Sequence, residues 1–213
     1  MMTNRYDASG SSEGRYQPGS DEKVLLNRLD IIDPDEMEDV ELDLLQQLTE
    51  AVLSEVSEDQ KITSDDLCEW HRRWLGNVYD WAGQYRSVNM SKDGFPFAVA
   101  HLVPGLMQKL NDNFLSRYTP CNEMDEEELI NALAVVHVEL TLAHPFREGN
   151  GRLSRLLASV MALQAGQPLL DFSYMDENKS DYFSAIQAGM VDYEPMKEMF
   201  KRVLHASQQG AHE

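Results

Sequence analysis

One glycine-rich polar segment most constrains this chain: His144-Pro145-Phe146-Arg147-Glu148-Gly149-Asn150-Gly151-Arg152-Leu153-Ser154-Arg155. It joins an apolar run of helical period at residues 133–142 to a second at residues 153–164. The centre of the fold is therefore a helix, a tight loop and a helix. Backbone N–H groups gathered in a nest at a helix start are a ready phosphate site. A histidine beside such a nest points to chemistry on a phosphate ester.

Helical signals extend along most of the rest. Asp33-Pro34-Asp35-Glu36 reads as a helix start, with Asp33 as N-cap, Pro34 at the first helical position and Glu36 able to close a capping box. Val40, Leu44, Leu45, Leu48, Val52 and Val56 continue it as an amphipathic stripe. A second helix starts at residues 63–66 and carries Leu67, Trp70, His71, Trp74 and Leu75. Helical period returns at residues 102–118, 126–143, 181–189 and 194–204, and Gly166 and Pro168 stop the helix that follows the central segment. Residues 86–99 differ. Val88 and Met90 alternate with Ser87, Asn89 and Ser91, and Asp93-Gly94 is a hairpin turn signal before Phe95-Pro96-Phe97. Pro96 marks the second strand as an edge. The expected fold is all-α with one β-hairpin and no internal repeat.

The 213 residues suit one domain with a sizeable core. The domain is expected at residues 18–206, with a polar, flexible tail at 1–17 and a short tail at 207–213. A net charge of -19 argues against nucleic acid as the main partner, because phosphate backbones need a basic face. Its acidic residues, dense around 33–41 and 125–128, read as solvated helix faces or as an acidic face for a basic partner. Cys68 and Cys121 show no CxxC and no metal spacing, so two reduced thiols and a cytoplasmic setting are expected. No apolar run reaches spanning length and no signal peptide is read at the start, so no membrane role is expected.

Within the central segment the chemistry divides by residue type. His144 is placed to take a proton from an attacking hydroxyl. Gly149 and Gly151 permit the positive φ that an anion nest uses. Asn150 between them can bond a phosphate oxygen, and Arg152 and Arg155 project to one side of the next helix near its positive end. Glu148 is a hard-metal carboxylate, and Mg2+ suits it, being commonly held by one carboxylate plus phosphates and water. His137, seven residues before His144, falls on the same helix face. A His137/His144/Glu148 metal site matches no common zinc spacing, and His137 reads as a packed core residue.

The segment resembles the Fic family signature, HxFx(D/E)GNGRxxR, at every specified position. Val78-Tyr79-Asp80-Trp81-Ala82-Gly83-Gln84-Tyr85-Arg86 looks like the run that precedes the family's flap. Ser91-Lys92-Asp93-Gly94-Phe95-Pro96-Phe97 looks like the flap hairpin, and Pro18-Gly19-Ser20 with Val24-Leu25 and Asn27 looks like a common lead-in. The resemblance covers roughly residues 18–206. It implies a Fic-type helical domain that transfers AMP from ATP to a Ser, Thr or Tyr hydroxyl of a target protein. It implies His144 as base, Phe146 as loop anchor and Glu148 as Mg2+ ligand. Asn150 would contact the α-phosphate, Gly149 and Gly151 would supply nest amides, Arg152 would contact the distal phosphates and Arg155 the γ-phosphate. An edge strand pairs with an extended segment through main-chain bonds. Residues Ser87, Val88, Asn89, Met90, Ser91, Lys92, Asp93, Gly94, Phe95, Pro96 and Phe97 are accordingly expected to dock the target.

Gly151 favours nucleotidyl transfer over the related kinase branch, which carries Lys there. Many relatives are inhibited by a helix with (S/T)xxxE(G/N), whose Glu pairs with the residue matching Arg155. Residues 9–14 and 173–178 carry these letters. The first lies in a stretch of poor helix propensity; the second is a loop-like stretch close after the catalytic helix, where the family does not place its inhibitor. Both read as chance matches, with Glu13 the residue to act if either does. Otherwise a small antitoxin-like protein is the expected inhibitor, as for the toxin of a toxin–antitoxin pair. The alternatives are transfer from another donor, removal of AMP, or a nucleotide-binding regulatory module without turnover. A metal-dependent hydrolase using His137 and His144 is more distant. Apolar helices serve equally a core or a dimer face, so oligomeric state stays open.

Overall fold

The computed structural model describes residues 12–210. The helices are α1 (Pro34–Glu55), α2 (Ser64–Leu75), α3 (Val103–Leu110), α4 (Ser116–Tyr118), α5 (Glu126–Ala143), α6 (Asn150–Gln164), α7 (Ser173–Glu177), α8 (Lys179–Ala188) and α9 (Glu194–Gly210). A π-helical turn, Asn111–Leu115, lies between α3 and α4. One hairpin, β1 (Ser91–Lys92) with β2 (Phe95–Pro96), pairs Ser91 with Pro96 and Lys92 with Phe95. The all-α expectation with a single hairpin holds among the described residues.

Two compact units are distinguished. The described part of the first comprises residues 12–54, 65–107 and 143–150. The cap of α1 is as the sequence indicates: Asp35 N–H (2.9 Å) and Glu36 N–H (3.1 Å) donate to Asp33 Oδ1. The buried face of α1 is Met37, Glu41, Leu48 and Val52, which differs from the expected stripe. Glu41 replaces an apolar neighbour because it is satisfied there. Its carboxylate accepts from the Tyr79 hydroxyl at 2.7 Å, and its carbonyl accepts from Trp74 Nε1 at 2.8 Å.

The hairpin turn places Asp93 at φ +50° and Gly94 at φ +84°, the pair of positive angles that matches strand twist in a two-residue turn. Phe97 N–H adds one bond to Met90 O at 3.0 Å. Val88, Met90 and Phe97 form a small buried cluster with Phe95 against it, so the alternation read at 87–91 does set the inner face.

The amino-terminal boundary is earlier than expected. Residues 12–17 carry a 3-10 turn at Ser12–Gly14 and a bridge from Tyr16 to Leu25. Side-chain amides staple this lead-in: Gln17 Oε1 accepts from Asn27 N–H, and Asn27 Oδ1 accepts from Leu29 and Ile31 N–H. Polar composition thus marks hydrogen-bonding residues at 12–17 rather than a tail. Residues 1–11 and 211–213 lie outside the described residues.

The second unit comprises residues 55–64 and 108–142 and, among the described residues, 151–210. Residues 132–138 of α5 are buried without a break, the mark of a helix covered on all sides. Leu129, Leu133, Val136 and Leu140 of α5 are buried, as are Leu153, Leu157 and Met161 of α6 and Met196, Phe200, Val203 and Leu204 of α9. Each such side chain contributes about 1.5–3 kcal/mol by burial. Ser207 Oγ accepts from Asp171 N–H at 2.8 Å, and α9 runs to Gly210. The carboxyl-terminal tail expected from 207 is therefore helical as far as 210.

Candidate active site

The loop after α5 begins with strain. His144 has φ +47°, a left-handed angle that costs a residue with a Cβ about 1 kcal/mol or more. Its surroundings impose that angle. Arg86 Nε donates to His144 O at 2.6 Å, and Arg86 N–H donates to Pro145 O at 2.8 Å. The Phe97 ring of the flap stacks on the imidazole, with centroids 3.7 Å apart and planes 11° apart. The base candidate is half-buried under the hairpin.

Phe146 is fully buried and anchors the loop. Asn150 closes it: Phe146 N–H donates to Asn150 Oδ1 (2.8 Å), and Asn150 Nδ2 donates to Phe146 O (2.7 Å). The carboxamide expected on a phosphate is thus committed to the loop's own backbone, and Asn150 is buried. Its backbone N–H, at the first position of α6, is among those a helix start leaves without an intrahelical acceptor.

The two glycines serve different ends. Gly149 has φ +80°, and a Cβ there would lie 2.4 Å from Trp74 Cζ3. Both angle and space require glycine. Gly151 departs from the expected positive φ: it lies inside α6. Among the described residues nothing approaches within 4 Å of a Cβ built on it, and it is exposed. Its lack of a side chain leaves the helix start open to close approach from outside.

Two supporting residues escaped the sequence reading. His71 is fully buried and stacks on Phe146 at 4.0 Å and 9°. Gly83 N–H donates to His71 Nδ1 (2.8 Å), which leaves the proton on Nε2 to donate to Glu148 O (3.1 Å). A histidine inside the apolar stripe of α2 was the available signal. Arg147 is buried, and its Nε donates to Glu13 O at 2.9 Å. A guanidinium in an unspecified signature position gave no signal.

Glu148 is half-buried, and its Oε1 accepts from Gly149 N–H at 2.8 Å. Among the described residues no three His, Cys, Asp or Glu side chains gather as a metal cage.

Glu13 is buried, and both carboxylate oxygens accept from Ser87 N–H (3.1 and 3.0 Å), one also from Ser87 Oγ (2.8 Å). It sits on a three-residue 3-10 turn. In the second unit Arg155 is paired with Asp176 by two bonds, Nη1 to Oδ2 at 3.0 Å and Nη2 to Oδ1 at 2.8 Å. Its guanidinium also lies over the rings of Phe172 (5.2 Å) and Tyr182 (5.9 Å). Within the first unit Glu13 serves Ser87, and within the second Arg155 serves Asp176. Residues 173–178, read as loop-like, contain the short helix α7, and Asp176 rather than Glu177 meets the arginine.

His137 is a core residue. Its Nε2 is 2.7 Å from the Tyr182 hydroxyl, and its ring packs edge-on against Phe200. Burial first, then the Arg155 charge, pushes its pKa down to about 3. Its ring is enclosed in the core of the second unit, and among the described residues no group of three metal-ligating side chains forms around it.

The chain is similar to known proteins in sequence and in fold. Residues 61–162 match the Fic/DOC family model. The protein adenylyltransferase Fic of Nematostella vectensis is 33% identical over 150 residues, covering 66% of this chain and 32% of that protein. The protein adenylyltransferase VbhT of Bartonella schoenbuchensis is 31% identical over 160 residues, covering 72% of this chain and 32% of that protein. The chain spans about a third of the length of these curated relatives. Among solved structures, BepC of Bartonella tribocorum with bound AMPPNP superposes with a TM-score of 0.75 at 22% identity, covering 90% of this chain and 96% of that one. The type IV secretion system effector BepA gives 0.67 at 26% identity, covering 84% and 64%. The signature loop, the hairpin over His144 and the family match at residues 61–162 together place this chain in the Fic/DOC family.

Proposed function

We propose that this chain is a Mg2+-dependent protein adenylyltransferase that moves AMP from ATP to a Ser, Thr or Tyr hydroxyl of a target protein. The observation that carries the reading is His144, fixed in a strained turn under the flap and followed in one continuous segment by the start of α6. The activity named for the Nematostella and Bartonella relatives supports it.

The ATP phosphates rest against the first amides of α6, where the helix dipole favours negative charge. Gly151, with open space beside it, admits the α-phosphate, and the backbone N–H of Asn150 and Gly151 bond its oxygens. Arg152 meets the distal phosphates. Arg155 binds the γ-phosphate, which takes the place of the Asp176 carboxylate. Glu148 supplies a hard oxygen ligand, which fits Mg2+ bound partly by substrate phosphates. Held by Glu148, the ion would supply neutralisation of the phosphate charge.

Residues 87–97 hold an extended target segment along the free edge of β2. His144 removes the proton of the target hydroxyl as that oxygen attacks the α-phosphorus. The new O–P bond forms as the bond to the β-phosphate oxygen breaks. Pyrophosphate leaves, and AMP remains on the target. Phe97, stacked on the imidazole, holds the ring for this transfer.

Control by a separate small protein that sets an acidic group at Arg155 belongs to this reading, since the Glu13 carboxylate is committed to Ser87. ATP as donor and the two thiols, Cys68 and Cys121, support a cytoplasmic setting. No helix among the described residues is long and apolar enough to cross a membrane.

The test is incubation of pure protein with Mg2+ in a cell lysate, with α-32P-ATP and in parallel γ-32P-ATP. Protein label from the α-phosphate alone, lost in His144→Ala, is the expected result. Label from γ, or α-label that survives His144→Ala, overturns the reading.

A further inference from the structure

Arg86 carries a guanidinium that the transfer chemistry does not use, yet it is only 2% exposed. Its three nitrogens all donate to main-chain carbonyls: Nε to His144 O (2.6 Å), Nη1 to Val88 O (2.7 Å), and Nη2 to Ala98 O with a longer bond to Ala143 O (3.4 Å). Its own N–H adds the bond to Pro145 O. One planar group therefore ties three segments together: the chain rising into the hairpin at Val88, the chain leaving it at Ala98, and the turn that carries His144.

None of these acceptors is a carboxylate. Burial pushes the Arg86 pKa below the usual guanidinium value, and the charge of Glu13 opposes that shift. Glu13 in turn holds Ser87, the next residue, through its N–H and hydroxyl. A buried charge without a direct ion pair is a costly way to fill space, and apolar side chains of similar volume do so more cheaply. What a guanidinium fork supplies instead is fixed geometry between its acceptors; an ammonium, with a single nitrogen, cannot span them.

We infer that Arg86, with Glu13 offsetting its charge, is a positioning residue that sets the target-docking hairpin at a fixed distance from His144. The inference rests on the reading of His144 as base and residues 87–97 as docking edge. Arg86 touches neither nucleotide nor target. It acts through the His144 and Val88 carbonyls, so its loss misplaces the docked hydroxyl relative to the base and leaves the nucleotide seat alone.

The experiment compares wild type, Arg86→Lys and Glu13→Gln. AMPPNP binding is measured by calorimetry. Incorporation of label from α-32P-ATP is measured against increasing concentration of lysate protein as acceptor. Arg86→Lys is expected to bind AMPPNP as wild type does, while maximal incorporation falls about a hundredfold, the scale of an ångström-level misplacement. Its half-saturating acceptor concentration rises as well. Glu13→Gln keeps an oxygen for Ser87 and loses the charge, so half-saturation rises about fivefold, the scale of one charge-assisted hydrogen bond. Unchanged incorporation in Arg86→Lys overturns the inference, as does parallel loss of AMPPNP binding and incorporation, which would make Arg86 a general support of the fold. Should Arg86→Lys fail to fold, Glu13→Gln decides, and unchanged half-saturation overturns the inference. A wild-type protein that binds AMPPNP but gives no α-label removes the adenylyltransferase reading and this inference with it. Wild-type label with an unaffected Arg86→Lys removes the inference alone.

Discussion

The loop that carries His144 and the surroundings of Arg155 are held by opposite kinds of interaction. From 144 to 150 the loop is held through its backbone. Arg86 takes the carbonyl of His144, His71 that of Glu148, Asn150 both groups of Phe146, and Trp74 fills the space beside Gly149. Arg86, His71 and Asn150 are buried. Arg155 is instead held by a side-chain ion pair whose partners are 26% and 52% exposed. Buried bonds to backbone leave a loop one conformation, because any alternative strands polar groups away from water. An exposed ion pair is cheap to exchange. The contrast teaches a division of labour: a base needs a fixed position, whereas a phosphate ligand needs a guanidinium that can trade one anion for another.

Breaking the rigid side gives the largest effects. Gly149→Ala combines a left-handed φ with a 2.4 Å approach to Trp74, so it is expected to lose about 4 kcal/mol or fail to fold, read by urea denaturation. His71→Phe keeps the stack on Phe146 but strands Glu148 O and Gly83 N–H. A loss of about 2–4 kcal/mol is expected, with weaker AMPPNP binding. Stability within 0.5 kcal/mol of wild type, roughly the scale of an ordinary surface change, would show that the loop does not depend on His71.

The sequence carried the helices, the hairpin and the signature loop because each rests on local rules. Asp33 caps α1 as read, Asp93-Gly94 turns the hairpin, and Val88 and Met90 face inward. What stayed hidden depends on partners distant along the chain. Glu13 and Ser87 are 74 residues apart, His71 and Glu148 are 77, and Arg147 and Glu13 are 134. A polar residue chosen to bond a remote backbone group looks, in its local window, like a tail residue or a core accident. Asn150 shows the same limit inside the signature. Its position was legible, but the engagement of its side chain with Phe146 was not.

The Arg155 surroundings have a buried layer that sharpens the comparison through pH. His137 titrates near its ordinary value of about 6.5 when unfolded and near about 3 when folded. As pH falls below the unfolded value, only the unfolded chain takes the proton, so this contribution to stability is full above about 6.5 and is lost towards 3. The slope reaches about 1.4 kcal/mol per pH unit between these limits. His137→Gln is expected to flatten the fall of stability between pH 6 and pH 4, about the middle of that window. An unchanged slope would mean that His137 is protonated in the folded protein.

The smallest change tests the exchangeable side directly. Asp176→Asn removes the charge that faces Arg155 and leaves an oxygen to accept one bond. Because the pair is half in solvent, stability is expected to shift by only about 0.5 kcal/mol. The cation–π contacts with Phe172 and Tyr182 remain to hold the guanidinium in place. With the competing carboxylate gone, a γ-phosphate no longer has to displace it, so AMPPNP should bind about threefold more tightly, the scale of one exposed ion pair. The gain should shrink with added salt, since wild-type competition is itself screened. Weaker binding in Asp176→Asn would reverse the comparison. It would mean that Asp176 aims Arg155 at the nucleotide and that both regions are built for rigidity.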